Sequence, residues 1–311
     1  DDVWDENGLR ETFASIEATM TRDGVTYGVP YSYYQWGIYY RKDIFDKLGL
    51  EEFETWDDML AGCAQMKEVG VTPFTIGTKF LWTAGGWFDY LNMRTNGFDF
   101  HMDLAAGNVS WEDDRVKQTF MNWKELIDMG GFIADHQTYS WQEALPFMVN
   151  GEAASYLMGN FAVAPLREAG LTDDQLDFYQ FPVINPDVEL SEDAPTDTFH
   201  IPANAKNKEA AREFLRFATS PEEQTIINNG KNLGQLPVNA ASSVDDDKFL
   251  QQGFQMLSSN STGGVAQFWD RDAPAEMAKV SMEGFQEFMV KPDQLDKILA
   301  KLERARGRIY K

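Results

Sequence analysis

Residues 30–43 read PYSYYQWGIYYRKD, and six of these side chains are aromatic. A strand in an ordinary packed core carries Val, Ile and Leu, whereas tyrosine and tryptophan join an apolar ring to a polar tip. Tyr34 and Trp36 lie two residues apart and share one face of an extended chain, and Gly37 lets another group approach closely. We therefore predict that Tyr34 and Trp36 face a binding site, while the other four tyrosines belong to the core or its edge.

The composition indicates a folded chain with an acidic surface. Its 311 residues are 43% hydrophobic and 14% aromatic, which is enough for two domains or one large one. Fifty acidic against 27 basic side chains give a net charge of -23, which opposes phosphate backbones, so we expect no nucleic-acid partner. No apolar run approaches the roughly 20 residues of a membrane helix. The first residues, DDVWDENGLRETF, lack the basic and apolar regions of a signal peptide.

The reactive residue types give no sign of a catalytic or metal centre. Cys63 is the single cysteine, and it continues a helical spacing of apolar residues, so we expect a buried structural thiol. The histidines are far apart and have no cysteine beside them, which argues against zinc; they are His101, His136 and His200. Because the chain also lacks a dinucleotide fingerprint, a P-loop and a nucleophile elbow, we expect no cofactor and no enzymatic activity.

Short apolar strands alternate with amphipathic helices, which favours an α/β fold with largely parallel strands. Strands are expected at residues 25–29, 37–40, 73–77, 152–158 and 178–183. Helices are expected at residues 43–49, 56–69, 140–148, 248–258, 274–290 and 293–309, and after Ser110, Asn207 and Ser220. Capping boxes are predicted for Thr55 with Asp58, Ser140 with Glu143 and Ser220 with Glu223. Residues 185–197 are expected to form a loop.

Aromatic side chains stand at the ends of the predicted elements. Trp82 follows the strand at 73–77, Trp141 opens a helix, Phe161 follows the strand at 152–158, and Trp269 lies in a loop where it has no packing role. Ligands of open α/β sheets bind at the carboxyl ends of strands. Flat rings beside Asn, Gln, Asp and Lys suit a pyranose, whose C–H face stacks on a ring while its hydroxyls need planar donors and acceptors.

Three blocks of the sequence, in order, are similar to a known family. They are DGVTYGVPYSYYQWGIYYRKDIFDKLGLEEFETWDDML at 23–60, WQEALPFMVNGEAASYLMGNF at 141–161 and KNKEAAREFLRFATSPEEQ at 206–224. Together they resemble extracellular solute-binding proteins of ABC importers, of the sugar-binding kind similar to maltose-binding protein. Arg41 stands where the family commonly has Asn. The three blocks in this order are specific for the family and carry little information on the sugar.

The resemblance implies a two-lobed periplasmic-binding-protein fold of type II, with a ligand cleft between the lobes. The N-terminal lobe is expected at 1–33 plus 200–243 and the C-terminal lobe at 37–196 plus 248–311. The hinge crossings are expected near 34–37 and 197–201. The strand–helix–strand start that precedes the first block in the family has no counterpart here, so we expect an incomplete N-terminal lobe in this chain.

The resemblance also implies cleft residues, position by position: Tyr34, Lys79, Trp82, Tyr139, Asn160, Phe161 and Trp269. From their polarity and position beside these we add Gln35, Trp36, Trp141, Gln142, Asp197, Asp270 and Asp272. Similar proteins often carry a carboxylate on the hinge strand where this chain has Tyr34, which leaves the orientation of the sugar open.

These features predict a monomeric periplasmic or extracellular protein that closes about its hinge over an uncharged mono- or oligosaccharide. It would deliver this ligand to an ABC permease in the inner membrane. One alternative is a carbohydrate-active hydrolase that uses paired carboxylates such as Asp270 and Asp272. Another is a binding protein for a polyol, a peptide or a cationic amine, since aromatic faces and acidic groups also hold cations.

Overall fold

The computed structural model describes residues 2–6, 9–10, 17, 20–229, 234–239, 241–244, 247–257 and 262–311. The strands in these residues are β1 (Thr21–Arg22), β2 (Val25–Thr26), β3 (Val29–Tyr33), β4 (Trp36–Arg41), β5 (Thr72–Phe74), β6 (Ala153–Gly159), β7 (Leu176–Tyr179), β8 (Ser191–Asp193), β9 (Thr196–Phe199) and β10 (Gly264–Ala266). The helices are α1 (Asp2–Glu6), α2 (Lys42–Leu48), α3 (Trp56–Glu68), α4 (Trp82–Asn96), α5 (Phe98–Ala105), α6 (Asp114–Asp128), α7 (Leu145–Val149), α8 (Val163–Glu168), α9 (Lys208–Ala218), α10 (Pro221–Asn228), α11 (Lys248–Gln255), α12 (Trp269–Asp272), α13 (Ala275–Val290) and α14 (Leu295–Ile309). Across these described ranges, no helix is long and apolar enough to cross a bilayer.

The main sheet has the strand order β5-β6-β4-β7. Strand β5 runs parallel to β6, but β4 runs antiparallel to both β6 and β7. The expectation of largely parallel strands is therefore wrong for this sheet. The reason lies in how β4 joins it: β4 follows β3 after Tyr34 and Gln35 only, so no helical crossover fixes its direction.

A second, two-stranded sheet pairs β3 with β9 in antiparallel fashion, with Tyr33 opposite Thr196. Two short links leave it: residues 34–35 lead from β3 to β4, and residues 194–195 lead from β8 to β9. Strand β8 pairs in parallel with β10. The expected loop at 185–197 thus contains β8 and the start of β9. Their sequences, SED and TDTF, carry too few apolar residues to be recognised as strands.

The buried apolar side chains of the described residues form two separate clusters. The large cluster packs the main sheet against α3, α4, α6, α13 and α14, and it includes Tyr34, Trp87 and Phe288. The small cluster packs the β3–β9 pair against α1 and α9; its buried members are Val3, Trp4, Leu9, Val29, Leu215 and Val238. Tyr33 packs against the small cluster and Tyr34 belongs to the large one. The chain therefore passes from one core to the other between two consecutive tyrosines.

Most predicted helix boundaries are confirmed by their caps. The Thr55 hydroxyl accepts the N–H of Asp58 at 3.2 Å before α3, and the Ser220 hydroxyl accepts that of Glu223 at 3.3 Å before α10. Gly49 ends α2 in the left-handed conformation, with φ of 66°. The helix predicted from 248 begins as expected at Lys248, while residue 258, its predicted end, lies outside the described residues.

Among the helices of the described residues, the sequence pattern misses five, α1, α4, α5, α8 and α12, and places α7 too early. All residues from Thr83 to Arg94 in α4 are buried, so this helix has no polar face and no 3.6-residue alternation. Ser140 and Glu143 form the predicted reciprocal capping bonds at 3.1 and 2.7 Å. The residues after them nevertheless form a turn, and α7 begins only at Leu145.

Candidate functional site

Six aromatic rings meet beside the two links between the sheets; they are Tyr34, Trp36, Trp82, Trp141, Phe161 and Phe268, here called the ring cluster. The rings of Trp36 and Phe268 lie 4.8 Å apart, and those of Tyr34 and Phe161 lie 5.2 Å apart. Trp141 reaches Phe161 at 5.3 Å and Trp82 at 6.5 Å, while Trp82 reaches Trp36 at 5.8 Å. The structure thus brings together five of the predicted site residues and adds Phe268, which the sequence did not single out.

Glycines make room for these rings. A Cβ on Gly86 of α4 would lie 2.9 Å from the Trp36 ring, and one on Gly159 would lie 2.4 Å from the Phe161 ring. These distances are far shorter than an ordinary carbon contact, so both positions require glycine for the rings to sit as they do.

Two strained residues place ring-cluster members. Leu81, immediately before Trp82, has a φ of 70°, and Phe268 has a φ of 141°. Such conformations cost a side-chain-bearing residue about 1–3 kcal/mol and persist only where the surroundings hold them. At Phe268 the holder is Asp272, whose Oδ2 accepts the N–H groups of Gln267 and Phe268 at 2.9 and 3.2 Å. The ring cluster is therefore preorganised by its backbone.

Accessibility divides the ring cluster into a floor and a rim. Trp36 and Phe268 are buried, with exposed fractions of 2% and 4%, and Tyr34 is 8% exposed. Trp82, Trp141 and Phe161 are only partly buried and pack against the large core. The rim rings are the ones whose faces remain available to a ligand.

An unpaired amide precedes Phe161 in the chain, and its residue, Asn160, lines a small pocket together with Arg167 and Phe249. Both polar atoms of the Asn160 side chain are buried and find no hydrogen-bond partner in the described structure. The backbone N–H of Asn160 donates to the Gln35 carbonyl at 3.1 Å, and Gln35 Nε2 donates to the Phe249 carbonyl at 2.9 Å. Unpaired buried amides are costly. Both Asn160 atoms and Gln35 Oε1 therefore lack a partner, but Gln35 Nε2 anchors α11, so Asn160 is the amide that is left wholly available to another molecule.

A charged group adjoins Tyr34. Arg271 Nη2 donates to the Tyr34 hydroxyl and to Asp197 Oδ1, both at 3.1 Å, and its Nη1 donates to the Thr196 carbonyl at 2.7 Å. Burial raises the pKa of Tyr34 to about 12, with the Arg271 charge acting in the opposite direction. Tyr34 therefore keeps its hydroxyl proton at neutral pH. Arg271 was absent from the predicted site, although its position between two predicted acids, Asp270 and Asp272, was a signal for it.

Three predicted residues lie on the surface segments leading to Trp141. Lys79 is exposed, its Nζ lies 3.7 Å from Glu143, and its N–H donates to the Tyr139 carbonyl at 3.0 Å. The Tyr139 ring packs against Phe147 at 5.4 Å, and Gln142 is exposed. These side chains stand beside the rim and are not part of the ring cluster.

The prediction that Trp269 is a loop residue without a packing role is wrong. Trp269 begins α12 and is fully buried, with an exposed fraction of 0%. Its ring packs at 5.1–5.8 Å; the neighbours are Phe88, His101, Trp111 and Phe285. Its Nε1 donates to the Ser281 hydroxyl at 2.6 Å. The spacing of residues in the sequence does not tell which way a side chain points. In the structure the neighbouring residue, Phe268, is the one whose ring joins the ring cluster.

The two predicted acids of α12 differ in environment. Asp272 is engaged by the backbone of Gln267 and Phe268, so it holds the site together, whereas Asp270 is exposed. Within the described residues, no group of His, Cys, Asp and Glu side chains is arranged to hold a metal ion. The Cys63 thiol is buried, as predicted, and burial raises its pKa to about 12.

The fold and this site match a known class of proteins. The family model for "Bacterial extracellular solute-binding protein" matches residues 2–225. The chain belongs to this family. The structure superposes with a TM-score of 0.90 on the bacterial solute receptor AcbH, which is 28% identical, covering 100% of this chain and 79% of that one. These findings confirm the predicted family and the two-lobed α/β fold class.

Relatives by sequence include an uncharacterized ABC transporter extracellular-binding protein of Pyrococcus horikoshii, 29% identical over 84% of this chain and 58% of the relative. A probable sugar-binding periplasmic protein of Mesorhizobium japonicum is 27% identical over 73% of this chain and 54% of the relative. The aligned part thus spans between half and three fifths of the length of these two relatives. A chitin oligosaccharide binding protein, 23% identical with a TM-score of 0.88 over 99% of this chain and 78% of that one, shows the same fold.

Proposed function

We propose that the protein binds an uncharged mono- or oligosaccharide outside the cytoplasmic membrane and delivers it to the permease of an ABC importer. The observation that carries this proposal is the ring cluster at the links between the two sheets. Partly exposed Trp82, Trp141 and Phe161 offer flat apolar faces. Asp197 offers a carboxylate that shares Arg271 with Tyr34. The solute receptor of the same fold that is 28% identical is described as exclusive for β-D-galactopyranose, which supports a sugar ligand.

The two cores correspond, in this proposal, to two lobes: residues 1–33 plus 200–243 and residues 37–196 plus 248–311. The first hinge crossing is at 34–37. We propose residues 194–195 for the second, in place of the expected 197–201, because Thr196 and Asp197 already pair with β3 as part of β9. The small lobe turns about these links and closes over a ligand that contacts both sides, so binding shifts the population towards the closed form.

In this proposal the rim rings supply most of the binding free energy, and the polar side chains discriminate between sugars. Each ring that stacks on the sugar contributes about 0.5–1.5 kcal/mol beyond the area it buries. Asn160, Tyr34 and Asp197 bond hydroxyl groups, and Lys79, Tyr139, Gln142 and Asp270 lie where a longer saccharide would extend. Gln35, Trp36 and Asp272 support the site from behind, and Trp269 takes no part because it is buried elsewhere in the core.

The rival proposals fit the geometry less well. A hydrolase working with Asp270 and Asp272 needs both carboxyl groups to flank one glycosidic bond, yet Asp272 Oδ2 is engaged by two backbone N–H groups, which leaves only one oxygen of Asp272 for that role. A cationic amine would meet the positive charge of Arg271 beside Tyr34.

A thermal-shift and calorimetric screen of the full chain tests the proposal. The probes are D-galactose, D-glucose, D-xylose, diacetylchitobiose and raffinose, with sorbitol and spermidine for the rivals. A sugar that binds raises the unfolding midpoint by mass action. Binding of spermidine or sorbitol alone would contradict the proposal, and so would hydrolysis of a sugar that is lost in Asp270→Asn.

For Trp82→Ala we expect at least a tenfold loss of sugar affinity, about 1.4 kcal/mol, because a rim ring is removed. The measurement is isothermal titration with the sugar that binds the wild-type chain. Phe217→Ala is the matched control, since Phe217 is 56% exposed on α9 and outside the ring cluster. Equal affinity of wild type and Trp82→Ala would remove Trp82 from the site.

A further inference from the structure

The guanidinium of Arg271 is fixed by acceptors at the end of the β3–β9 sheet. Nη1 donates to the Thr196 carbonyl, and Nη2 donates to both the Tyr34 hydroxyl and Asp197 Oδ1. Tyr34 follows β3, while Thr196 and Asp197 begin β9, so the three acceptors come from the link after β3 and from β9. Arg271 itself lies on α12, which packs against α4 and α13. Its position is therefore set from both sides of the hinge.

This contact determines the direction of the Tyr34 hydroxyl proton. A guanidinium has only donors, so in the bond to Arg271 the Tyr34 oxygen must be the acceptor. Among the described residues, the Tyr34 hydroxyl donates to no acceptor of the protein. The phenol keeps its proton at neutral pH because burial raises its pKa to about 12. One directed O–H donor is thus left over for another molecule.

Asp197 supplies the complementary acceptor. One of its oxygens accepts from Arg271, and in the described part of the chain its second oxygen bonds no donor. Asp197 is partly exposed, with 27% of its side chain accessible. The Tyr34 and Asp197 oxygens both lie 3.1 Å from the same Arg271 nitrogen, so the donor and the acceptor stand side by side.

We infer that Arg271 is a positioning residue that aligns Tyr34 and Asp197 as a donor–acceptor pair for two adjacent hydroxyl groups of a sugar. This inference rests on the proposed sugar-binding function. One hydroxyl oxygen of the vicinal diol accepts from Tyr34, and the neighbouring hydroxyl donates to Asp197. The pair selects ligands with adjacent hydroxyls in the matching relative orientation, and the fixed positive charge of Arg271 disfavours cationic ligands.

Calorimetric titration of the full chain with the best-binding sugar of the panel tests this assignment. We expect Tyr34→Phe and Arg271→Gln each to lower the affinity about tenfold. The double variant should bind no more weakly than the poorer binder of the two single variants, because both substitutions disable the same Arg271–Tyr34 contact. Arg271→Lys recovers part of the loss. Arg308→Gln is the control: its ion pair with Glu276 is exposed, and we expect wild-type affinity.

Monodeoxy derivatives of the same sugar separate positioning from a structural role. For the wild-type chain, removal of one particular hydroxyl lowers the affinity; for Tyr34→Phe and Arg271→Gln, that deoxy sugar binds as well as its parent. The inference is overturned if Arg271→Gln still binds the deoxy sugar more weakly than its parent, as the wild-type chain does. It is also overturned if the affinity losses of the two single variants add up in the double variant. In both cases the proposed sugar binding stands. A wild-type chain that binds none of the sugars overturns the proposed function and the inference with it.

A ligand-free measurement checks the contact itself. With 3-fluorotyrosine at position 34, the ¹⁹F resonance reports ionisation of the hydroxyl, and Arg271→Gln should raise its pKa because a stabilising positive charge is lost. Should Arg271→Gln fail to fold, Arg271→Met, which keeps the aliphatic stem and removes the charge, provides the same comparison. An unchanged titration in a folded variant contradicts the bond between Arg271 and Tyr34.

Discussion

Two buried carboxyl groups make the stability of this protein sensitive to pH. Asp89 and Asp193 are both fully buried, with exposed fractions of 0%, and the Asp193 oxygens have no hydrogen-bond partner in the described structure. Burial, followed by the charges of Asp272 and Glu192, raises the pKa of Asp193 well above its usual range. Burial and the Asp193 charge do the same for Asp89. The folded chain therefore holds protons on these groups that the unfolded chain releases.

Buried groups of two kinds act in opposite directions between pH 7 and about 5. Burial lowers the pKa of His101 to about 3 and that of His136 to about 4, so the unfolded chain takes up these protons first and stability falls with the pH. Asp89 and Asp193, whose pKa values are raised, give a gain in stability over the same range, which we expect to offset this loss.

The gain from the buried carboxyl groups is complete below the unfolded value of about 3.9. Near that pH a further loss begins, since Arg41 holds the pKa of Asp43 below its usual range. Thermal unfolding at pH 5, 6, 7 and 8 measures the trend.

Asp193→Asn should raise the midpoint at pH 7, and as the pH falls its midpoint should gain on that of the wild-type chain less and less, because the wild-type chain alone profits from protonating Asp193. Asp114→Asn is the control, as the Asp114 side chain is 99% exposed. Identical slopes for wild type and Asp193→Asn would show that Asp193 is not the group responsible.

At the scale of elements, helix α4 links the core to the site. It is buried from Thr83 to Arg94 and begins with the rim residue Trp82. Two consecutive glycines of α4, Gly85 and Gly86, have different surroundings. A Cβ on Gly85 would make ordinary contacts, the nearest at 3.5 Å, whereas one on Gly86 would meet the Trp36 ring at 2.9 Å.

Gly85→Ala and Gly86→Ala are therefore a matched pair with opposite expected effects. Alanine favours a helix over glycine by up to about 1 kcal/mol, so Gly85→Ala should leave stability unchanged or raise it. Gly86→Ala should lower stability by about 1–3 kcal/mol, because overpacking displaces the Trp36 and Phe268 rings. Urea unfolding of both variants measures this, and equal stabilities would contradict the tight packing of α4 against the ring cluster.

On the scale of the whole molecule, the two cores are unequal. The large one packs the four-stranded sheet against long helices, while the buried part of the small one consists of six described residues. Helix α9 of the small core also leaves Phe214 and Phe217 more than half exposed, at 52% and 56%. Local stability follows buried apolar contact, so the small core should open more easily.

We expect backbone amides of α9 to exchange with deuterium at least tenfold faster than those of β6, which is buried along its whole length. Hydrogen exchange followed by mass spectrometry resolves the two segments within one sample. Bound sugar should slow exchange in β3 and β9 more than in α6, which lies away from the ring cluster. Uniform protection of α9 and β6 would contradict unequal cores.

The sequence predicted the fold better than the site. Caps such as Thr55 and Ser220 act over three residues, so the helix starts they mark could be predicted from the sequence. The block at 23–60 carries the family pattern, so the fold class could be predicted as well. The α4 helix was not, because a helix buried all round loses its periodicity. Trp269 and Phe268 are adjacent in sequence, and only the backbone angle at Phe268 decides which ring enters the cluster. Arg271 acts through partners more than 70 residues away, Thr196 and Tyr34.

The consecutive residues Tyr33 and Tyr34 pack on different cores, so one of the two links between the cores runs through a single peptide unit. In the proposed closure, a tilt of the small core turns that unit, and with it the Tyr34 phenol that Arg271 holds. A spectroscopic label on the Tyr34 ring would consequently report the orientation of this link, and so the closure of the protein, from a buried position.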